Sequence, residues 1–258
     1  MSDAPIAPDM NAPSADPWVG LKKFTAARIA LGRSGTSVPL REALAFRLAH
    51  AHARDAVYSV LETEHLLAGL AELGVTSEQI KSQAKDRQEY LQRPDLGRRV
   101  DEKSSTQLAE AAGEGCDVVI VLADGLSATA INDHALPLLR LLLPQLCEAG
   151  FRVGPVAVAE QARVALGDEV GHLLQAKLVL MLIGERPGLS SPNSLGAYLT
   201  YGPKIGLTDE VRNCVSNIRP EGLAYPAAAA KVFYLINEAL QRKLSGVGLK
   251  DEHELLDE

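Results

Sequence analysis

The amino-acid sequence predicts an α/β protein in which a doubly wound parallel sheet follows a small helical N-terminal part. Two observations carry this prediction. Residues 18–112 place apolar side chains at helical spacing, with loop-forming segments between them. Residues 113–258 instead alternate short, continuous apolar runs with helical patterns, which is typical of parallel strands joined by crossover helices. These two ranges are also the predicted domains.

Composition narrows the class of protein. The chain has 258 residues, of which 47% are apolar and 23% are charged, as in ordinary globular proteins. A formal net charge of −7 and 4% aromatic residues argue against a protein that follows nucleic-acid phosphates or stacks on bases. Three cysteines without a C-x-x-C pair argue against a disulfide framework or a structural zinc site. We recognise no secretory signal and no membrane-spanning apolar run, so we expect a cytosolic, reduced protein.

The N-terminal part is predicted to be a flexible tail followed by helices. Residues 1–17 are rich in Ala, Pro, Asp and Ser and offer little to bury. Leucines at positions 40, 44 and 48 predict a helix that begins near Pro39 and runs toward residue 58. Further helices are predicted over residues 62–73, 76–85 and 104–112. The polar segment 86–99 is interrupted by Pro94 and Gly97, and we assign no element to it.

The C-terminal part contains four predicted strands. Apolar, β-branched runs place them at residues 117–123, 151–159, 177–184 and 195–201. One helix is predicted from the end of the loop at residues 124–127 up to residue 143, and a second over residues 161–175. A third is predicted over residues 226–245, where Gly246 is the stop signal. Open α/β sheets bind ligands at the carboxyl ends of their strands. Three polar, glycine-bearing loops are candidates for that position: residues 124–129, 184–194 and 209–222.

Sequence motifs indicate no self-contained catalytic site. Neither a G-x-G-x-x-G fingerprint nor a P-loop lysine lies between a strand and a helix, and no G-x-S-x-G elbow occurs. Ser127 follows the first strand of this part, and we interpret it as a helix-start residue. The six histidines include no i, i+4 pair on a helix, so no metal site is predicted.

Five segments occur together in an order that a known family shares. They are Thr25-Ala-Ala-Arg-Ile-Ala-Leu-Gly-Arg33, Arg93-Pro-Asp-Leu-Gly-Arg-Arg99, Asp124-Gly-Leu-Ser127, Gly184-Glu-Arg-Pro-Gly-Leu189 and Arg212-Asn-Cys-Val-Ser-Asn-Ile-Arg-Pro220. With the Ala-rich last helix they cover residues 18–248, nearly the whole chain. The sequence therefore resembles the light chain, or small subunit, of ethanolamine ammonia-lyases.

The resemblance implies a fold, an activity and a partner. The family fold is a small helical domain followed by a Rossmann-like α/β domain. The holoenzyme uses adenosylcobalamin to convert ethanolamine to acetaldehyde and ammonia through a radical mechanism. A large TIM-barrel subunit holds the substrate and the catalytic side chains, so none is expected in this chain. The cofactor lies between the two chains, and the light chain covers its lower, dimethylbenzimidazole side. The family oligomer contains several large–small pairs, for which six of each is one arrangement.

The resemblance also implies three cofactor-binding residues. Val164 is expected to make an apolar contact, Glu185 to accept from amide N–H groups around the corrin, and Cys214 to pack as a small polarizable group. Only Asp251-Glu-His253 begins the Asp-x-His-x-x-Gly motif that supplies a histidine to cobalt, and it ends in Leu256. We therefore expect base-on cobalamin and no metal ligand from this chain.

Two alternative functions and two locations stay open. The chain could be a self-sufficient α/β enzyme, although no nucleophile–base spacing supports one, or a scaffold subunit that makes no contact with the cofactor. Family members that enter bacterial microcompartments carry a longer amphipathic N-terminal segment, which residues 1–17 do not show. A free cytosolic enzyme and an encapsulated one are therefore both compatible with the sequence.

Overall fold

The structure, a computed structural model, describes residues 16–251. The predicted flexible tail lies outside the described residues except for positions 16 and 17, and so does the acidic end from residue 252 onward. The described chain forms two compact units. The first contains residues 16–54 and 188–191, and the second contains residues 55–187 and 192–251. The second unit includes residues 55–112, which the sequence analysis assigned to the N-terminal domain.

The first unit contains a short 3-10 helix, Val19–Phe24, and most of helix α1 (Leu40–Val57). The prediction of a helix here is confirmed. The leucines that repeat along one side of α1, which we call its leucine stripe, are nevertheless exposed. Leu40, Leu44 and Leu48 are 73%, 52% and 58% exposed. Only Ala56 of α1 is buried. The apolar spacing therefore predicted the helix correctly without indicating a core within this chain.

The second unit is built on a six-stranded mixed sheet. Its strands, within residues 16–251, are β1 (Ser77–Lys81), β2 (Cys116–Ala123), β3 (Val156–Glu160), β4 (Ala176–Gly184), β5 (Leu195–Tyr201) and β6 (Arg212–Ile218). Their order is β1-β3-β2-β4-β5-β6. The first four strands in this order are parallel, whereas β5 is antiparallel to β4 and β6 is antiparallel to β5.

The predicted α/β class is confirmed, and the prediction of a wholly parallel sheet is wrong for its last two strands. The link from β4 to β5 covers only residues 185–194 and contains no helix. A parallel neighbour needs a crossover connection, usually a helix, so a link without one returns the chain antiparallel. The finer assignment to a Rossmann-like doubly wound arrangement stays a prediction.

Two strands and one helix differ from the sequence predictions. Residues 76–85, predicted as a helix, contain β1, in which only Ile80 is buried. Because β1 is an edge strand that pairs with β3 alone, its other positions are polar and carry no strand signal. The other edge strand, β6, was missed for the same reason. Residues 86–99 contain a six-residue helix, α3 (Arg87–Gln92), capped by the side chain of Asp86.

Helices lie on both faces of the sheet. They are α2 (Thr63–Glu72), α4 (Glu102–Ala111), α5 (Ala128–Glu148), α6 (Leu166–Leu173) and α7 (Tyr225–Arg242). Helices α2, α5 and α7 share one core with alternate residues of β2 to β6, and α4 and α6 share the other core with β1 to β4. Within residues 16–251, none of the helices combines the length and hydropathy that a membrane crossing requires.

The second core ends before the antiparallel strands begin. Among the described residues, neither β5 nor β6 contributes a buried apolar side chain to the core under α4 and α6. On this face Tyr198 of β5 is half-buried and Cys214 of β6 is exposed. An antiparallel pair can leave part of one face uncovered in this way, whereas parallel strands are usually covered on both. Elsewhere on this face Gly196 is buried, and Arg212 of β6 is buried against Asp168 of α6. We call Gly196, Tyr198 and Cys214 the open sheet face.

Candidate functional site

The structure brings the three predicted site residues together around Tyr198. Cys214 lies directly opposite Tyr198 across the β5–β6 pair. Val164, in the segment between β3 and α6, lines the same cavity as Tyr198. Glu185 directly follows β4 and extends across Gly196, where an added Cβ would lie 3.0 Å from Glu185 Oε1 and 3.1 Å from the Tyr198 ring.

The carboxylate of Glu185 is held at one oxygen. Oε2 accepts a hydrogen bond from the Ser194 hydroxyl and another from the backbone N–H of Asn217, at 3.2 Å. Within residues 16–251, no group donates to Oε1. One oxygen thus fixes the side chain, and the other is available to accept from a ligand N–H.

Two side chains of the open sheet face have raised pKa values, and both are already neutral at pH 7 at their ordinary pKa. Desolvation raises the pKa of the Cys214 thiol, and the nearby Glu185 carboxylate adds to the rise while the Tyr198 phenol opposes it. The pKa of Tyr198 is also raised, first by desolvation and then by Cys214 and Glu185. A thiol with a raised pKa is a poor nucleophile and behaves as a small polarizable contact. The open sheet face is therefore suited to binding and offers no activated nucleophile.

The segment that carries Val164 is positioned by a stack of three side chains. Two guanidinium groups lie over the ring of Tyr90, with the Cζ of Arg87 4.8 Å and that of Arg163 4.2 Å from the ring centroid. The backbone N–H of Arg163 donates to Gly97 O at 2.7 Å. A side chain at Gly97 would lie only 2.9 Å from Arg163 Cγ and 3.0 Å from the Tyr90 ring. Residues 93–99, one of the segments that carried the family resemblance, thus fix the position of Val164.

Asp124, the first residue after β2, is buried and connects the ends of two strands. Its oxygens accept from the backbone N–H groups of Gln161 and Ala162, both at 3.0 Å, and Arg87 Nη1 lies 3.5 Å away. Burial raises the pKa of Asp124 to about 6, although Arg87 and the backbone N–H groups oppose the rise. The folded protein therefore holds this proton more tightly than the unfolded chain does.

This raised pKa predicts a pH-dependent stability. An ordinary aspartate has a pKa of 3.8, so the contribution of Asp124 is complete below that pH and is lost as the pH rises through about 6. We expect this group to lower the free energy of unfolding by up to about 3 kcal/mol between pH 4 and pH 7. Denaturant titrations across this range should show that Asp124→Asn lacks that part of the fall. Parallel pH profiles of the two proteins would contradict the prediction.

The described residues contain no metal centre. Across residues 16–251, no three His, Cys, Asp or Glu side chains lie close enough together to hold a metal ion. His253, the histidine of the incomplete cobalt-ligand motif, lies outside the described residues. Ser127 is interpreted correctly as a helix-start residue, since it immediately precedes α5. Its hydroxyl donates to Pro192 O at 2.9 Å rather than capping the helix.

Sequence reasoning did not find Tyr198 or Arg98. Tyr198 lies in a correctly predicted strand, and the period of two places Gly196 and Thr200 on its face. A strand face with a glycine and a threonine, rather than large apolar residues, was the sequence signal that could have indicated an incompletely covered face. Arg98 belongs to the Arg93–Arg99 segment, which was used for the resemblance without assigning its arginines a role. It lines a cavity of about 210 Å³ with Val164 and Tyr198.

The structure is that of an α/β protein with a mixed sheet, at whose antiparallel end Val164, Glu185 and Cys214 converge around Tyr198. The family model described as Ethanolamine ammonia-lyase light chain (EutC) matches residues 15–250, nearly the whole chain. The chain belongs to this family of light chains, which are subunits of a carbon–nitrogen lyase.

Curated relatives agree over most of the chain. The ethanolamine ammonia-lyase small subunit of Azotobacter vinelandii is 52% identical over 250 residues, which are 96% of this chain and 93% of the relative. The small subunit of Pseudomonas putida W619 is 54% identical over 93% of this chain and 89% of its own. That of Pseudomonas fluorescens Pf0-1 is 55% identical over 92% and 88%. The family resemblance drawn from the five sequence segments is thereby confirmed.

Proposed function

We propose that this chain is the small subunit of an ethanolamine ammonia-lyase and that its open sheet face seats the lower side of base-on adenosylcobalamin. One observation carries the proposal. Val164, Glu185 and Cys214 come from three separate segments and converge around Tyr198 at the antiparallel end of the sheet. The catalytic side chains belong to the large subunit, a TIM barrel, with which this chain forms a hetero-oligomer, six of each chain being one arrangement.

The residues present fit the lower side of a corrin. Its fringe of amide groups can donate to Glu185 Oε1, which accepts no hydrogen bond from the part of the chain that the structure describes. Cys214 and the Tyr198 ring offer a neutral, polarizable surface to the apolar parts of the ligand. Gly196 keeps this surface flat, because any side chain there would meet Glu185 and Tyr198. When bound, the cofactor supplies the adenosyl radical by homolysis of its cobalt–carbon bond. The residues of this chain hold the lower side of the cofactor in place and exclude water from it.

The first unit supports the proposal of a protein partner. Trp18 and Phe24 are 65% and 75% exposed, and the leucine stripe of α1 is exposed as well. Apolar side chains clustered on a surface commonly mark a protein interface. The proposed location is the cytosol or a bacterial microcompartment, as an assembly of large and small chains.

Substitutions on the open sheet face test the cofactor role. We expect Cys214→Trp to weaken cobalamin binding to the large–small assembly at least about 100-fold, because a bulky ring would occupy the seat. Glu185→Ala should weaken it about tenfold through loss of a charged acceptor. Affinity is measured by visible-absorbance titration of cobalamin into the assembly. Cys147→Trp is the matched control, since Cys147 is the other exposed cysteine and lies on α5.

The outcomes separate the three functions. Wild-type cobalamin affinity in Cys214→Trp and Glu185→Ala, together with normal assembly, would favour a scaffold subunit. Ethanolamine turnover by this chain alone would favour a self-sufficient enzyme. Loss of affinity in both variants, with Cys147→Trp unchanged, is the result that the proposed cofactor seat requires.

A further inference from the structure

A cavity of about 210 Å³ adjoins the open sheet face. Val164 and Tyr198, which belong to the proposed cofactor seat, form one part of its wall. Arg98 and Arg163 form another part, and Asp209 lies at a third. A ligand that lies on the seat and extends past Val164 would therefore enter this cavity.

The charged side chains that line the cavity differ in the hydrogen bonds and ion pairs that they already make. Arg98 is exposed, and within residues 16–251 its guanidinium has no ion pair or hydrogen bond. Arg163 stacks on Tyr90 and donates to its carbonyl oxygen, but its Nε is buried without an acceptor. Asp209, the one carboxylate among the described lining residues, already accepts from Arg212 Nε at 3.1 Å. The cavity thus presents one guanidinium without a partner among the described residues, that of Arg98, together with the partly committed Arg163 and a carboxylate that is already paired.

We propose that this cavity is an anion subsite in which Arg98 binds the phosphodiester of the cofactor's nucleotide tail; this inference rests on the proposed function. The lower side of cobalamin carries one phosphodiester, with a single negative charge, between its ribose and the corrin side chain. A guanidinium group can donate two parallel hydrogen bonds to such a group. Arg98 has no competing partner among the described residues, so its donors are available for a ligand anion.

Arg163 has a different part in this subsite. Its guanidinium is held against Tyr90, so it cannot follow a ligand, but it adds a fixed positive charge beside Val164. Arg98 is exposed and therefore able to adjust to the phosphate. The subsite combines one fixed and one adaptable cation, with Asp209 as the opposing charge.

Three corrinoids isolate the phosphate contribution. Cobalamin contains the phosphate, the ribose and the base; cobinamide phosphate contains only the phosphate; and cobinamide contains none of them. We expect Arg98→Ala to weaken the binding of cobalamin and cobinamide phosphate to the large–small assembly about tenfold. Binding of cobinamide should change less than twofold. The affinity loss should also shrink as salt concentration rises, because the contact is partly exposed.

Two further variants distinguish a charge contact from a structural role. Arg98→Lys should retain part of the phosphate-dependent affinity, since it keeps the charge and loses the bidentate geometry. Asp209→Asn should change the affinity in the opposite direction and tighten cobalamin binding about twofold, because it removes the negative charge beside the phosphate. Arg93→Ala is the matched control: Arg93 is an exposed arginine of the same segment, but it is paired with Asp95 at 2.7 Å.

The result that overturns the inference is an equal loss for all three corrinoids, or no loss for any, in Arg98→Ala. Inorganic phosphate alone, if it competed with cobinamide in the wild-type assembly, would also contradict a subsite beside the corrin seat. Failure of the proposed function can be distinguished from failure of the anion subsite. If the proposed function were wrong, Glu185→Ala and Cys214→Trp would leave cobalamin affinity unchanged. If those two variants lose affinity while Arg98→Ala does not, the anion subsite alone is wrong.

Discussion

Replacing Arg212 by methionine is expected to lower the free energy of unfolding by about 3–5 kcal/mol, because it leaves a buried carboxylate without its partner. The side chains of Arg212 and Asp168 are both 2% exposed. They form a bidentate pair, with distances of 2.6 Å and 2.7 Å. Arg212 Nη1 also donates to Thr200 Oγ1 at 3.0 Å, which joins β6, β5 and α6 at one point. Denaturant unfolding of both proteins at neutral pH measures the loss.

The other half of the pair supplies the control and the contradicting result. Arg212→Met combined with Asp168→Leu removes both charges and should recover most of the stability, since an apolar pair avoids the unpaired carboxylate. Asp209→Asn should change the free energy of unfolding by less than about 0.5 kcal/mol, because the Asp209 side chain is 88% exposed. A double variant as unstable as the single one would show that the loss comes from packing rather than from charge.

Gly184→Ala is expected to have the second large effect, at least about 3 kcal/mol or failure to fold. A Cβ at Gly184 would overlap the carbonyl oxygen of Ser127 and lie 2.6 Å from that of Asp124. Both obstacles are backbone atoms, so neither can move without displacing the turn after β2. Gly184 O also accepts from the backbone N–H of Leu126 at 2.9 Å, which holds this turn against the end of β4. The large expected loss in free energy of unfolding follows from this steric overlap.

Gly167→Ala is the matched comparison for this substitution. Gly167 lies in α6, where the atom nearest to an added Cβ is Val179 Cγ2. The two atoms would be 3.4 Å apart, which is an ordinary contact. Alanine favours a helix over glycine by up to about 1 kcal/mol, so this variant should be neutral or slightly stabilised. Soluble yield and denaturant midpoint are measured for both variants. Equal behaviour of the two alanine variants would mean that the turn after β2 adapts to a side chain at Gly184.

Buried elements could be predicted from the sequence, and elements at the edges of the sheet could not. The predicted strands at 117–123, 177–184 and 195–201 agree closely with β2, β4 and β5, because strands covered on both faces or packed on a large core need continuous apolar runs. The strand predicted over residues 151–159 begins later, at Val156, since Gly154 and Pro155 interrupt it. Strands β1 and β6 have polar faces at the edges of the sheet, and no local pattern distinguishes them from loops or short helices.

The candidate site depended on relationships that a linear pattern does not contain. Val164, Glu185 and Cys214 came from the family resemblance, and no spacing rule links them. Their common neighbour, Tyr198, becomes evident only when the β5–β6 register is known. The role of Gly97 in fixing Arg163 is likewise a contact across more than sixty positions in the chain. The family resemblance therefore supplied the individual residues, whose role stays a prediction, whereas their convergence became evident only from the fold.

The uncovered antiparallel end of the sheet also has a consequence for cooperativity. Strand β2 has neighbours on both sides and helices over both faces, whereas β6 is an edge strand whose second face is covered by α6 only around Arg212 among the described residues. Regions with fewer buried contacts open locally at a lower free energy than the global unfolding transition. Val164 belongs to the well-covered half and Cys214 to the half that opens more readily, so the proposed cofactor seat is complete only while β6 is paired with β5. Occupancy of this proposed seat and closure of β6 are then thermodynamically linked, and part of the binding energy goes into ordering the edge strand.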